Sequence, residues 1–225
     1  MICMLLPLPF SLSIRRSLKY AGIIFTIVLL GVVIFLTINV MQRGLGGPDG
    51  RSMDDILGIS AAKATKADME KLSKYDLMQL FYAAHAPDPK KMGGEFKGKN
   101  LPVGISFPII KYVEVNIWGP PGDWSGKRFT VCDDNRCPGI NLFDVVTGNG
   151  KTKAVAARKM VSSIQHSVFD ERQSMVLDYE KDNTDVTRRI VDEIRQINAN
   201  LYIGLAYVKF PPGTWHCFPF VLWRD

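Results

Sequence analysis

Leu201-Tyr202-Ile203-Gly204-Leu205-Ala206-Tyr207 sets Leu201, Ile203, Leu205 and Tyr207 in alternation with the small Gly204 and Ala206. A period of two places successive side chains on opposite faces, so the stretch reads as a β-strand. Upstream, Met175, Leu177 and Tyr179 alternate with Ser174, Asp178 and Glu180; downstream, Phe218, Phe220 and Leu222 alternate with Pro219, Val221 and Trp223. Turn chemistry separates such runs at Asp170 to Gln173, at Gly148-Asn149-Gly150 and at Pro211-Pro212-Gly213. Short, closely spaced antiparallel strands bury their apolar faces by closing into a sheet that folds on itself, here a small antiparallel barrel. Large side chains alternating with small ones taper such a barrel and leave interior space for one ligand.

Two amphipathic helices flank the strands. From Thr65 to Ala84, Met69, Leu72, Met78, Leu80 and Phe81 recur at helical spacing behind a Thr65/Asp68 capping box. From Val186 to Ile197, Val186, Ile190, Val191, Ile194 and Ile197 form a stripe while Arg188, Arg189, Asp192, Glu193 and Arg195 face water, and Asn198 and Asn200 end it. Ile105 to Trp118 suits either period. The expected class is therefore mainly β with flanking helices (α+β), in a domain spanning 65–225.

Toward the N-terminus, 21–41 (AGIIFTIVLLGVVIFLTINVM) lacks any ionisable side chain. At 1.5 Å per residue it covers roughly the 30 Å of bilayer hydrocarbon, and a run that long is rarely a soluble core helix. Arg15, Arg16 and Lys19 precede it, while Arg43, Asp49, Arg51, Asp54 and Asp55 follow, a basic bias that favours a cytoplasmic N-terminus and an exoplasmic domain. A cleaved signal peptide fits less well, because no small-x-small site follows the apolar run. The acid-free, Ser- and Arg-containing 1–20 also suits an organelle import signal, which would put the anchor in an organelle inner membrane. Gly44 to Gly50 then reads as a flexible tether within a linker over 42–64.

The chain has 225 residues, 28 Lys+Arg and 22 Asp+Glu, and 47% apolar residues, a globular composition with no basic stripe that would mark a nucleic-acid partner. Cys3 lies on the other side of the anchor from Cys132, Cys137 and Cys217. A Cys132–Cys137 disulfide closing a polar turn is one reading; free thiols, or a zinc site completed by Cys217 and His216, are the others, the last lacking paired ligand spacings. No Asn-x-Ser/Thr sequon follows the anchor.

Catalytic patterns are sparse. Gly150-Lys151-Thr152 lacks the Gly that a phosphate loop needs five residues earlier, where Val145 stands, and Ser125 lacks the spacing of a nucleophile elbow. His166, on a strand face with Ile164 and Val168, could bind a ligand or move a proton, though a hydrogen-bonded structural histidine is the commoner case. Asp178 beside Tyr179 is an acid/base or ligand-orienting pair unless Asp178 belongs to a solvated strand face. With three scattered histidines, no metal centre, catalytic residue or cofactor is expected.

Ala86-Pro87-Asp88-Pro89, Gly94-Glu95-Phe96-Lys97-Gly98, Leu101-Pro102-Val103-Gly104, Trp124-Ser125-Gly126-Lys127-Arg128-Phe129 and the terminal Pro219-Phe220-Val221-Leu222-Trp223-Arg224-Asp225 occur in that order. Over 86–225 this resembles the GXWXG family of lipocalin-like domains, with Phe96 in place of the family's naming Trp. The resemblance implies a lipocalin-like barrel and no agreed enzyme activity; Phe96, Trp124 and Phe129 are its barrel-lining or barrel-closing residues. The expectation is a single-pass membrane protein whose barrel binds a small apolar or amphipathic ligand through Phe96, Trp124, Phe129, His166, Tyr179 and Phe220, with the lipid bilayer as its first partner. Two rivals stand beside it: an accessory subunit of a membrane complex with a self-filled barrel, and a lipid- or isoprenoid-modifying enzyme using His166 or Asp178/Tyr179.

Overall fold

In the computed structural model, residues 10–41, 47–101, 122–130, 136–210 and 213–225 are described. The chain forms two compact units, 1–41 and 42–225. The first is a single helix, α1 (Phe10–Met41). Its window Ser17–Ile34 is apolar and long enough to cross a membrane by length and composition, and its apolar side chains, Phe25 and Leu30 among them, are exposed.

The second unit is a closed barrel of eight antiparallel strands, each bonded to its neighbour in sequence and β1 closing on β8. The strands are β1 (Gly94–Asn100), β2 (Asp123–Phe129), β3 (Cys137–Val146), β4 (Thr152–His166), β5 (Gln173–Asp178), β6 (Ile190–Asn198), β7 (Leu201–Phe210) and β8 (Gly213–Trp223). This is the up-and-down architecture of lipocalin-like barrels, in which closure removes every free edge. Two glycines let strands approach where a side chain could not: a Cβ on Gly126 (φ +150) would lie 2.0 Å from the Phe96 carbonyl oxygen, and one on Gly204 would lie 2.0 Å from the Phe220 ring.

Apolar residues are buried on both sides of part of this wall. Inside, Phe96, Phe129, Phe143, Met160, Met175, Leu177, Ile194, Tyr202, Phe220 and Leu222 form one core, each 2% exposed or less. Outside, Ile197, Leu201, Ile203, Leu205 and Val221 form a second core with three short helices: α2 (Met53–Leu57), α3 (Lys66–Met69) and α4 (Lys74–Ala83). Arg195, fully buried on the outer face, grips Asp170 with two bonds at 2.6 and 2.7 Å and the Phe81 carbonyl at 3.0 Å, tying α4 and the β4–β5 turn to β6.

This double burial explains the main departure from sequence expectation. The stretch 186–197 is not a helix; a single 3-10 turn (Val186–Arg189) leads into β6. With Asp192 and Ile194 inside and Val191, Glu193, Arg195 and Ile197 beneath the outer layer, both faces are buried, so the period-two signal vanishes and chance spacing looks helical. The helix expected over 65–84 is two helices. Thr65 and Asp68 do form a capping box, but Ser73 caps afresh by accepting the Asp76 N–H. From Gly47 onward the expected tether packs on α4: buried Gln79 accepts the Asp49 N–H at 2.8 Å and donates to the Gly47 carbonyl at 3.1 Å. Ile105–Trp118 lies outside the described residues.

Candidate functional site

Inward positions of β2, β3 and β6, with Tyr179 just past β5, meet inside the barrel. Lys127 Nζ, 1% exposed, donates to Asp192 Oδ2 at 2.7 Å, Tyr179 Oη at 2.7 Å and Asn141 Oδ1 at 2.8 Å. Tyr179 Oη donates to the same Asp192 oxygen at 2.7 Å and accepts from Asn141 Nδ2 at 3.1 Å. Trp124 Nε1 donates to Asn141 Oδ1 at 3.0 Å. Three aromatic rings stand around the ammonium, those of Trp124, Tyr179 and Phe220, with centroids 5.2–5.4 Å away.

Three oxygens at 2.7–2.8 Å around one nitrogen match the three N–H donors of an ammonium, which the Asp192 side chain faces as its ion-pair partner. Burial pushes the Lys127 pKa down, and the facing Asp192 charge pulls it back up. Burial and the Asp192 charge both push the Tyr179 phenol well above its ordinary value, which keeps it a hydrogen-bond donor. Among the described residues Asp192 Oδ1 has no hydrogen-bond partner, although the side chain is 1% exposed.

Five of the six expected ligand-binding residues converge here. Phe96 stacks edge-on with Phe129 at 5.7 Å and Tyr202 at 5.3 Å, with the Arg224 guanidinium 3.8 Å over its ring, and Trp124 packs edge-on against Phe220 at 5.5 Å. Tyr179 joins them, but not as a partner of Asp178. Adjacent strand residues face opposite sides, so Asp178 points outward, 3.6 Å from Lys209. His166 is not brought to the cluster: it ends β4, exposed, with Nδ1 2.6 Å from the Glu171 carbonyl oxygen. Cys137 is disulfide-bonded, while Cys132 lies outside the described residues.

Lys127, Asn141 and Asp192 escape sequence reading for identifiable reasons. A β-bulge between Trp124 and Gly126 shifts the parity of β2, so Trp124 and Lys127, three apart, share the interior. Asp192 belongs to the segment whose double burial mimics a helix. The one signal in the sequence is Lys127 itself, a charge set between Gly126 and Phe129 in the quoted Trp124–Phe129 motif. Among the described residues no group of three or more His, Cys, Asp or Glu is placed to hold a metal ion.

No family model matches the chain, and no curated protein matches it. Among solved structures it is similar to a protein from Thermomonospora curvata, at 17% identity and a TM-score of 0.43, over 77% of this chain and 95% of that one. It is also similar to the odorant-binding protein OBP1 (10% identity, TM-score 0.34, 62% of this chain and 75% of that one). A third is apocrustacyanin C1 (12% identity, TM-score 0.32, 62% of this chain and 63% of that one).

Proposed function

We propose that this chain is a membrane-anchored binding protein for a small apolar or amphipathic molecule, received inside the barrel by Phe96, Trp124, Phe129, Tyr179 and Phe220. The supporting observation is the charged cluster in an aromatic interior. Desolvating an ammonium and a carboxylate costs several kcal/mol each, and well-packed apolar residues often serve stability as well or better. An apolar lining with a few placed polar groups is instead the composition of a ligand site. The described interior is filled by its own side chains, so a guest enters by displacing some of them; Met92, Met160 and Met175, all within that core, are the unbranched, adaptable ones.

The apolar α1 helix anchors the chain with its N-terminus cytoplasmic and the barrel exoplasmic, an orientation in keeping with a disulfide at Cys137. Purification of the full chain from membranes, followed by mass spectrometry of an organic extract, tests the reading: a small amphipathic molecule near one per chain is expected. Recovery of none, together with no uptake of a fluorescent fatty alcohol by the purified chain, refutes it. That result would favour the second reading, an accessory subunit, which the close packing of the interior supports. A protease-accessible tag at Asp225 that is cut from the cytosol refutes the orientation.

A further inference from the structure

Resting on the binding reading above, we infer that the guest of this barrel carries a hydroxyl, not a carboxylate, at its polar end. Among the described residues the hydrogen bonds of the cluster leave one of its polar atoms unpartnered, and that atom has a definite sign. All three Lys127 protons are engaged, by Asp192 Oδ2, Tyr179 Oη and Asn141 Oδ1. The Tyr179 proton goes to Asp192. Asn141 Nδ2 donates to Tyr179 Oη and to the Arg158 carbonyl at 3.3 Å, and the indole N–H of Trp124 is held by Asn141 Oδ1. Among the described residues the donors of the cluster are all engaged, and the atom without a partner is an acceptor, Asp192 Oδ1, on a side chain that is 1% exposed and held in the interior by its other oxygen.

A carboxylate guest would bring two more acceptors and a second negative charge beside Asp192, where no donor of the described cluster is left to receive it. An ammonium would satisfy Oδ1 but would place a second cation next to Lys127. A hydroxyl supplies the single missing proton and leaves the Lys127–Asp192 pair neutral overall. A hydrogen bond to a charged acceptor that is otherwise unmet is the kind of contact that discriminates strongly between guests of equal apolar size.

The test uses the full chain in phospholipid nanodiscs, titrated calorimetrically at pH 8 with 1-decanol, decanoate and n-decane against protein-free nanodiscs. Decanol is expected to bind roughly ten- to hundredfold more tightly than either of the others. It should also shift the infrared carboxylate stretch of Asp192, a change lost in Asp192→Asn. If that variant does not fold, the three-ligand series on the unmodified chain decides. Decanoate binding as tightly as decanol, for example through the unpaired Arg224 Nε at the barrel rim, overturns the inference while leaving the binding reading standing. Equal binding of decanol and decane overturns it too, because the polar end would then be unread. Binding of none of the three removes both together.

Discussion

Replacing Asp192 with asparagine keeps the shape of the side chain and removes its charge, leaving the Lys127 ammonium buried among neutral partners alone. Breaking a buried ion pair from one side costs about 3–5 kcal/mol, because the surviving charge stays desolvated. For a domain of this size each kcal/mol moves the midpoint by about 2–4 °C, so the Asp192→Asn midpoint should fall by roughly 6–20 °C. Lys127→Met should fall comparably, since Asp192 would keep only the Tyr179 bond. The double variant Lys127→Met/Asp192→Leu removes both charges and leaves Trp124 and Asn141 bonded to one another. Its main loss is the acceptor of the Tyr179 proton, about 1–3 kcal/mol, so it should be more stable than either single variant. Near-UV circular dichroism melts of the full chains in one detergent measure all four proteins. Single variants within about 1 kcal/mol of the parent, or a double variant less stable than both singles, would refute the assignment of a buried, mutually dependent pair.

Three further outcomes follow from the packing and the charges. Gly204→Ala puts a methyl 2.0–2.5 Å from three atoms of the Phe220 ring, and such overpacking should cost about 1–3 kcal/mol by thermal unfolding; Phe220→Leu in the same chain should recover part of it, and an unchanged midpoint would contradict the close approach. Burial holds the Glu193 carboxyl above its ordinary value, outweighing the bonds from Ser167 and the Val168 N–H, so the folded chain keeps a proton that the unfolded chain releases. This favours folding below the unfolded pKa and is lost as pH rises through the raised folded value; Glu193→Gln should therefore gain in relative midpoint as pH is raised from about 4.5, and a pH-independent difference would count against it. Gln79→Ala removes the bonds of α4 to Gly47 and to the Asp49 N–H while leaving those of Tyr75 to Asp49 and of Asp76 to Arg51, and should speed tryptic cleavage after Arg51 while moving the midpoint of the barrel little; equal cleavage rates would show that Gln79 is not what protects the segment.

Strands whose alternate positions carry small or polar residues announced themselves, β5 through Ser174 and Asp178 and β7 through Gly204 and Ala206, as did α1 through a run without charge over 21–41. The capping box at Thr65 and Asp68 was equally legible, because capping is a contact between residues three apart. Of the aromatic members of the interior, Phe220 was legible from its alternation and Phe96 from its place between two glycines, whereas Trp124 and Phe129 were reached only through the resemblance to the lipocalin-like family. His166 shares the parity of an inward residue, Ile164, yet stands exposed, since parity says which way a side chain points and not where the barrel ends.

What the sequence by itself determined is local: helix-forming apolarity in 21–41, strand period in the C-terminal third, and caps and turns between them, each arising from neighbours a few residues apart. What only the tertiary structure decided is the polar heart of the barrel. Lys127 meets Asp192 across 65 residues and Tyr179 across 52, and no property of either neighbourhood encodes such a meeting. Barrel closure brings those strands face to face, a bulge turns Lys127 inward, and an outer layer of helices hides the reverse of β6. Burial on both faces erased the pattern by which that strand, and the carboxylate it carries, would otherwise have been read.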